Sequence, residues 1–319
     1  MAVETNTFFK YDAVGVREQL SDIISNISPR ETPFLSNAKK GDLHDTYWSR
    51  QKGAPASAVT TNQVRQGDNI GTHTAVVATT RTGNYTEIAR KDYSIAGTTV
   101  AVKSAGGANT PGYIAAKLGA EIKRDMESSL LANKGAVAAS SGVGPKTAGL
   151  PAFLRTNYST QDGTLPDAYT TAPADTWVDG TQRAFTETIL KAVLLQVYNS
   201  GGDVSTCMVG PFNKQVFSGF SGIVEQMKST GGGQVTVVAA ALVYESDFGN
   251  ITVVPNRFQP APSAFLLDWS KLRVMTLRGY KVEELAKNGD NKRFMMTTEY
   301  GLQCDNDASQ GFIEGLTTS

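Results

Sequence analysis

The chain has 319 residues, of which 30 are basic and 30 acidic, so its formal net charge is zero. This balance, with only 19% charged residues, gives no electrostatic basis for a sequence-reading nucleic-acid binder. The length allows at least one large core and favours about two lobes.

The lack of a secretory-signal pattern and the context of the two cysteines predict a reducing compartment. The first twenty residues lack a basic segment followed by an apolar run, and no window approaches the roughly eighteen continuous apolar residues of a membrane span. We therefore expect no membrane partner, and a protein that is made and kept in the cytoplasm or in a cytoplasm-derived particle. Cys207 and Cys304 lie far apart in apolar or strand-like contexts, which predicts buried, reduced thiols.

The first predicted element is a short amphipathic helix over residues 11–27, where apolar side chains recur at helical spacing. The stretch "ISPRETPFLS" (residues 27–36) then ends it. Pro29 and Pro33 disfavour helical geometry at the residues before them, so this stretch is predicted to be a stiff, extended strap. Phe34 and Leu35 are apolar residues on that strap, and we hypothesise that they anchor it on an adjacent subunit; the alternative is packing on the chain's own long helix.

Residues 46–102 read as a long two-stranded excursion. Thr, Ser, Gly and Asn dominate, and β-branched residues recur at every second position, as in Thr72, Thr74 and Val76. We predict a β-hairpin with a flexible tip around residues 54–71. An isolated hairpin is marginal in water, so it is expected to lie on a neighbouring copy.

A long helix follows, beginning at Pro111 and ending before Gly135, roughly 22 to 24 residues in all. Its apolar stripe makes it the expected spine of a lobe. Residues 136–182 then lose all periodicity, which predicts a long interaction loop or mobile segment.

The remaining chain predicts an α/β lobe with a mixed or antiparallel sheet. Helices are expected over residues 184–199 and 211–219. The expected strands cover residues 205–209, 235–244, 251–254, 264–268, 272–277 and 294–300. The extended run 293–306 is long enough to return to the spine helix.

No catalytic or metal-binding pattern stands out. The two histidines, His44 and His73, lie in the strap and the excursion, and neither cysteine has a histidine near it in sequence. Gly231–Gly233 lacks the Lys-Ser/Thr ending of a phosphate loop. We therefore expect no enzymatic activity, no cofactor and no bound metal.

The order of these parts resembles the major capsid proteins of tailed bacteriophages that have the Hong Kong ninety-seven fold, in the branch with an early SP-x-ETPF motif. That motif is formed here by residues 28–34. Further similar phrases are "SDFGNITVVPNRF" (246–258), "AFLLDWSKLRV" (264–274), "LAKNGDNKRFMMTTEYGLQCDN" (285–306) and "GFIEGL" (311–316).

The resemblance implies an α+β chain divided into an N-terminal arm (1–45), an extended β-hairpin loop (46–103), a peripheral domain with the spine helix (104–182), an axial α/β domain (183–290) and a return strand (291–319). It implies self-assembly as pentamers and hexamers into an icosahedral head shell that encloses double-stranded DNA. A separate scaffolding protein, a portal and a decoration protein are the implied partners, and DNA is expected to be contacted non-specifically. The candidate inter-subunit contacts are Pro29, Glu31, Pro33, Phe34, Leu35 and Trp48.

Some features depart from the family pattern. Some relatives carry a scaffold-like domain ahead of the arm, whereas this sequence starts directly at the arm, so we expect any scaffold to be separate or absent. Others crosslink a loop lysine to an asparagine beside a buried acid; the sequence offers no match for that acid, and Lys52 is a guess for the lysine. The alternatives are an encapsulin-like bacterial shell, another phage structural protein such as a tail or adhesin protein, and an enzyme with an α/β lobe.

Overall fold

The computed structural model describes residues 31–53, 58–69, 71, 75–76, 78–102, 111–169, 171–220 and 243–319. The predicted helix over residues 11–27, Pro29 and most of the predicted strand 235–244 lie outside these ranges. The elements, in chain order, are α1 (Pro33–Asn37), β1 (Lys39–Asp42), β2 (Tyr47–Lys52), β3 (Thr80–Tyr85), β4 (Glu87–Ala96), α2 (Gly97–Ala101), α3 (Pro111–Leu131), α4 (Leu150–Phe153), β5 (Tyr158–Ser159), α5 (Glu187–Asn199), β6 (Thr206–Val209), α6 (Pro211–Ser218), β7 (Val243–Ser246), β8 (Gly249–Pro255), β9 (Ala264–Leu267), β10 (Leu272–Leu285), β11 (Asn291–Cys304) and β12 (Gly311–Ile313).

The strands form two sheets and a separate hairpin. The first sheet has the order β1–β10–β11–β4, in which only the β1–β10 pair is parallel. The second has the order β5–β12–β9–β6–β8–β7 and mixes parallel and antiparallel pairs, as the sequence predicts. Among the described strands, β2 and β3 form a two-stranded sheet of their own.

Alternating side chains give the second sheet two buried faces. Met208, Phe265 and Phe312 enter one core, which also holds the end of α3 and part of β11. Their neighbours on the other face, including Cys207 and Ile313, enter a second core beneath α5. Because successive residues of a strand point to opposite faces, three short strands are enough to separate the two cores.

The helices follow local signals in the sequence. Pro111 is the first residue of α3, which has 21 residues and is about 31 Å long. Thr186 caps α5, and its side chain accepts a hydrogen bond from the Ile189 amide at 3.4 Å. The α5 residues Leu190, Val193, Leu194 and Val197 are buried, so this helix covers the second sheet with one face.

The arm differs from the predicted extended strap. Thr32 is outside the helical region, as expected, but Pro33 begins the short helix α1. The physical reason is that proline's fixed φ suits the first position of a helix, where its missing amide hydrogen has no partner to lose. The extended interpretation of residues 33–37 is therefore wrong.

The excursion and the loop 136–182 also differ in detail. The hairpin pairs only residues 47–52 with 80–85, and the chain then continues into β4 of the first sheet. Residues 136–182 are irregular apart from the short α4 and β5, and Ala148, Leu150, Phe153 and Trp177 are buried in the first core. This segment packs in the core, so the interpretation of the whole segment as a mobile loop is wrong.

Within the described residues, none of the helices combines the length and apolar character needed to cross a lipid bilayer.

Candidate assembly surfaces

The arm is held to the spine helix by one buried carboxylate. Glu127 of α3 accepts hydrogen bonds from the Phe34 and Leu35 amides, each at 2.8 Å, and from Asn256 Nδ2 at 2.7 Å. These partners come from α1 and from the residue after β8, so Glu127 joins three segments that are distant in sequence. Burial raises the pKa of Glu127, although the three hydrogen bonds act to lower it.

Phe34 is fully buried in its own chain, where its ring lies 5.7 Å from that of Trp269. It is therefore not available as an anchor on a neighbouring subunit, and the alternative of packing against the chain's own spine helix is the one that the structure shows. Leu35 and Pro33 are partly buried, and Glu31 is exposed. Among the described candidates in the arm, only Glu31 has an exposed side chain.

Trp48 joins the hairpin to the first sheet. Its ring covers Gly301 of β11 so closely that a Cβ atom built there would lie 2.1 Å from Trp48 Cη2. Asn84 of β3 supports the same contact, because its side-chain amide donates to Leu302 O at 2.7 Å and to Thr147 Oγ1 at 2.9 Å. Trp48 thus packs within its own chain, and the base of the hairpin is fixed on the body.

Ion pairs extend this attachment along β2. Arg50 contacts Asp305 at 3.1 Å, and Lys52 pairs with Asp307, which is buried and also accepts from Thr156 Oγ1 at 2.5 Å. Lys52 therefore has a buried acidic partner in its own chain.

The far end of the hairpin carries apolar residues with no cover. Val59, Val64 and Val76 are 66%, 84% and 95% exposed, respectively. Ile88 of β4 is exposed too. It lies on the face of β4 opposite to that of Lys91, whose side chain pairs with Asp125 of α3. Exposed apolar residues on an extended loop are the surface most suited to contact with another copy.

The described residues show no catalytic arrangement. Burial raises the pKa of Cys207 to about 12 and raises that of Cys304 as well, so both thiols are protonated at neutral pH. In the part of the chain that the structure describes, no group of three or more His, Cys, Asp or Glu side chains is arranged to hold a metal ion.

Sequence reasoning missed the residues that hold these surfaces in place. Glu127 falls within the predicted long helix, Asn84 within the predicted excursion and Asp307 beyond the last predicted strand. The partners of Glu127 lie 92 or more residues away and those of Asp307 up to 255, so no local pattern marks these residues.

Comparisons with known proteins agree on one class. The family model described as SU10 major capsid protein matches residues 3–317. The major capsid protein of Escherichia phage Phieco32 is 25% identical over 348 aligned positions, which cover 96% of each chain.

Two of the solved structures that share the fold are a phage capsid and an encapsulin. The capsid asymmetric unit of cyanophage A-1(L) superposes with a TM-score of 0.66 at 14% identity, over 95% of this chain and 97% of that one. The holo-SrpI encapsulin complex from Synechococcus elongatus PCC 7942 superposes with a TM-score of 0.56 at 8% identity, over 95% and 93%.

Proposed function

This chain belongs to the SU10 major capsid protein family and is a phage major capsid protein, and from that premise we propose that it forms the icosahedral head of a tailed phage by self-assembly as pentamers and hexamers around double-stranded DNA. The supporting observation is the β2–β3 hairpin, which is fixed at its base and exposes valines at its far end. A closed shell repeats one contact at slightly different angles, and a hairpin attached only at its base can bend to meet that requirement.

We assign the parts of the subunit by the family pattern. The arm is residues 1–45, the extended loop 46–103, the peripheral domain 104–182, the axial domain 183–290 and the return strand 291–319. The β11 strand supports the assignment of the return strand. It pairs with β4 and β10, and its C-terminal half enters the core that also holds the end of the spine helix. Glu31 and the tip of the extended loop are the proposed contacts with neighbouring subunits.

The proposed partners are further copies of the chain, a separate scaffolding protein, a portal, a decoration protein and the packaged DNA. The packaged DNA is proposed to meet the inner face without base contacts, and the zero net charge gives no reason to expect tight binding. Assembly is proposed to take place in the host cytoplasm. The role is structural, with no catalysis by the subunit, and the extended loop is proposed to rearrange as DNA is packaged.

A second candidate is the shell of a bacterial compartment that stores an enzyme. The observation behind it is the fold shared with the encapsulin structure. A shell of either kind is closed, so the content of the particle separates the two functions.

Electron microscopy of particles purified from cells that express the chain with its neighbouring genes tests the proposal. We expect closed shells with five-fold and six-fold rings, and no copurified enzyme in them. Closed shells that consistently enclose an enzyme would support the second candidate. Open tubes or fibres, formed in place of shells under every expression condition, would contradict both.

A further inference from the structure

A basic cavity lies between the hairpin and the irregular segment that follows α4. Its volume is about 350 Å³, and Lys52, Arg155, Tyr169 and Asp307 are among the residues that line it. Arg81 also lines the cavity; strand alternation places this residue on the opposite face of the hairpin from Lys52, and its guanidinium donates to Ser49 Oγ at 2.6 Å. The basic residues of the lining are therefore Lys52, Arg81 and Arg155.

The one acid in the cavity is already occupied. Asp307 receives Lys52 Nζ on one carboxylate oxygen and Thr156 Oγ1 on the other. Lys52 and Asp307 cancel each other in charge, so the lining keeps the positive charges of Arg81 and Arg155.

Several donors on these residues have no acceptor in the part of the chain that the structure describes. Arg155 uses Nε for the Pro166 carbonyl oxygen at 2.8 Å, which leaves its four terminal N–H groups. Lys52 has two further N–H groups beyond its bond to Asp307. The Tyr169 ring packs edge-on against Phe153 at 6.1 Å, and burial raises the pKa of its hydroxyl, which stays protonated and able to donate.

We propose that this cavity is a binding site for a compact oxyanion, which the Arg155 guanidinium, the Lys52 ammonium and the Tyr169 hydroxyl hold together. A guanidinium presents parallel N–H donors that match two oxygens of a phosphate or carboxylate. The oxyanion comes either from solution or from an acidic side chain of a second copy. The site is additional to the proposed shell-forming role and does not depend on it.

Isothermal titration of inorganic phosphate into the full-length chain before assembly tests the site, with chloride used to hold the ionic strength constant. We expect saturable binding. In thermal unfolding, a phosphate concentration of ten times the Kd should raise the midpoint temperature by about 2–4 °C. Arg155→Gln is expected to raise the Kd about tenfold or more. Arg155→Lys, which keeps the charge but not the planar donors, is expected to lose less. Arg90→Gln, at an exposed arginine outside the cavity, is the matched control and should leave the Kd unchanged.

Phosphate that acts no differently from chloride, or an Arg155→Gln chain that binds like wild type, would overturn the proposal. Tyr169→Phe keeps the ring contact with Phe153, so it replaces Arg155→Gln if that variant fails to fold. Its expected Kd is about fivefold higher, and an unchanged Kd would also overturn the site.

The same titration on assembled particles identifies the source of the anion. Binding that persists in the shell indicates an anion from solution, whereas binding that disappears on assembly indicates a carboxylate of a neighbouring copy. Only the titration on particles requires that shells form. If the proposed shell-forming function is wrong, the titration of the unassembled chain still tests the site.

Discussion

At the scale of single residues, Phe34 and Glu127 hold the arm to the body. Phe34 places its side chain in the first core, and its amide donates to Glu127. The same residue thus contributes an apolar contact and a backbone hydrogen bond to a buried carboxyl group. The arm is part of the folded subunit from Thr32 onward, before any neighbour is present.

Phe34→Ala is predicted to destabilise the subunit itself. Removing a buried phenylalanine side chain costs about 3–5 kcal/mol of unfolding free energy, because it leaves a cavity beside Trp269. Leu35→Ala, at the partly buried neighbour, is the control and should cost clearly less. Urea denaturation of the unassembled chain measures both. An unchanged subunit combined with unstable particles would restore the interpretation that Phe34 contacts another copy.

Glu127→Gln is predicted to change the pH dependence of stability. Burial raises the pKa of Glu127, so the folded chain keeps this proton to a higher pH than the unfolded chain. Its contribution to stability is therefore complete below the ordinary glutamate pKa and decreases as pH rises through the raised value. Glutamine has no proton to lose at this site.

Denaturation of the wild type and the Glu127→Gln variant across this pH range provides the measurement. The unfolding free energy of the wild type, relative to that of the variant, should decrease with rising pH. Glu121→Gln, on the same helix but paired with Lys91 at 3.7 Å, should follow the wild-type profile more closely. Parallel profiles for wild type and Glu127→Gln would refute the prediction.

At the scale of elements, the hairpin is attached to the first sheet where the Trp48 ring packs over Gly301, which has no side chain. Gly301→Ala is predicted to displace the Trp48 ring and destabilise the subunit by about 1–3 kcal/mol, since overpacking forces side chains and backbone to shift. Gly279→Ala, in the adjacent strand β10 with open space around it, should leave β2 in place. Thermal unfolding gives the stability, and hydrogen exchange of the β2 amides shows whether the hairpin has loosened. Equal protection of β2 in both variants would contradict this role of Gly301.

Elements with signals of their own were predicted correctly from the sequence. α3 and α6 begin with a proline, α5 begins after a capping threonine, and β6, β8 and β9 are short runs rich in apolar residues. Each of these signals acts within a few residues, so it can be seen without knowledge of the fold.

Elements that depend on distant partners were missed or shortened. The second half of β10 contains Lys281, Glu283 and Glu284, which favour solvent, and pairing with β11 alone makes it a strand. β1 contains two lysines and a glycine and becomes a strand by lying parallel to β10, more than 200 residues further along the chain. The same reason explains the misplacement of Phe34: its partners Glu127 and Trp269 lie on other elements.

At the scale of the whole molecule, the hairpin tip is predicted to serve assembly and not folding. Replacing residues 54–78 by Asn-Gly, a two-residue turn suited to an antiparallel hairpin, should keep the β2–β3 pairing and leave subunit stability unchanged within about 0.5 kcal/mol. Shell yield should fall about tenfold or more, because contact area with neighbours is lost. Electron microscopy and sedimentation measure the yield.

A length-matched variant separates the apolar contacts from the loop itself. Val59→Ser, Val64→Ser and Val76→Ser combined should lower shell yield in the same direction while the loop keeps its reach. Normal shells from the shortened chain would show that the tip is dispensable.

The position of β12 has a consequence for how the chain is made. Phe312 enters one core and Ile313 the other, and the strand that carries them lies between β5 and β9 in the interior of a sheet. A growing chain emerges from the ribosome with its N-terminal part first, yet neither core can close until residues 311–316 have been translated. Every subunit therefore spends its synthesis with two incomplete apolar surfaces, which makes the nascent chain a natural client for chaperones.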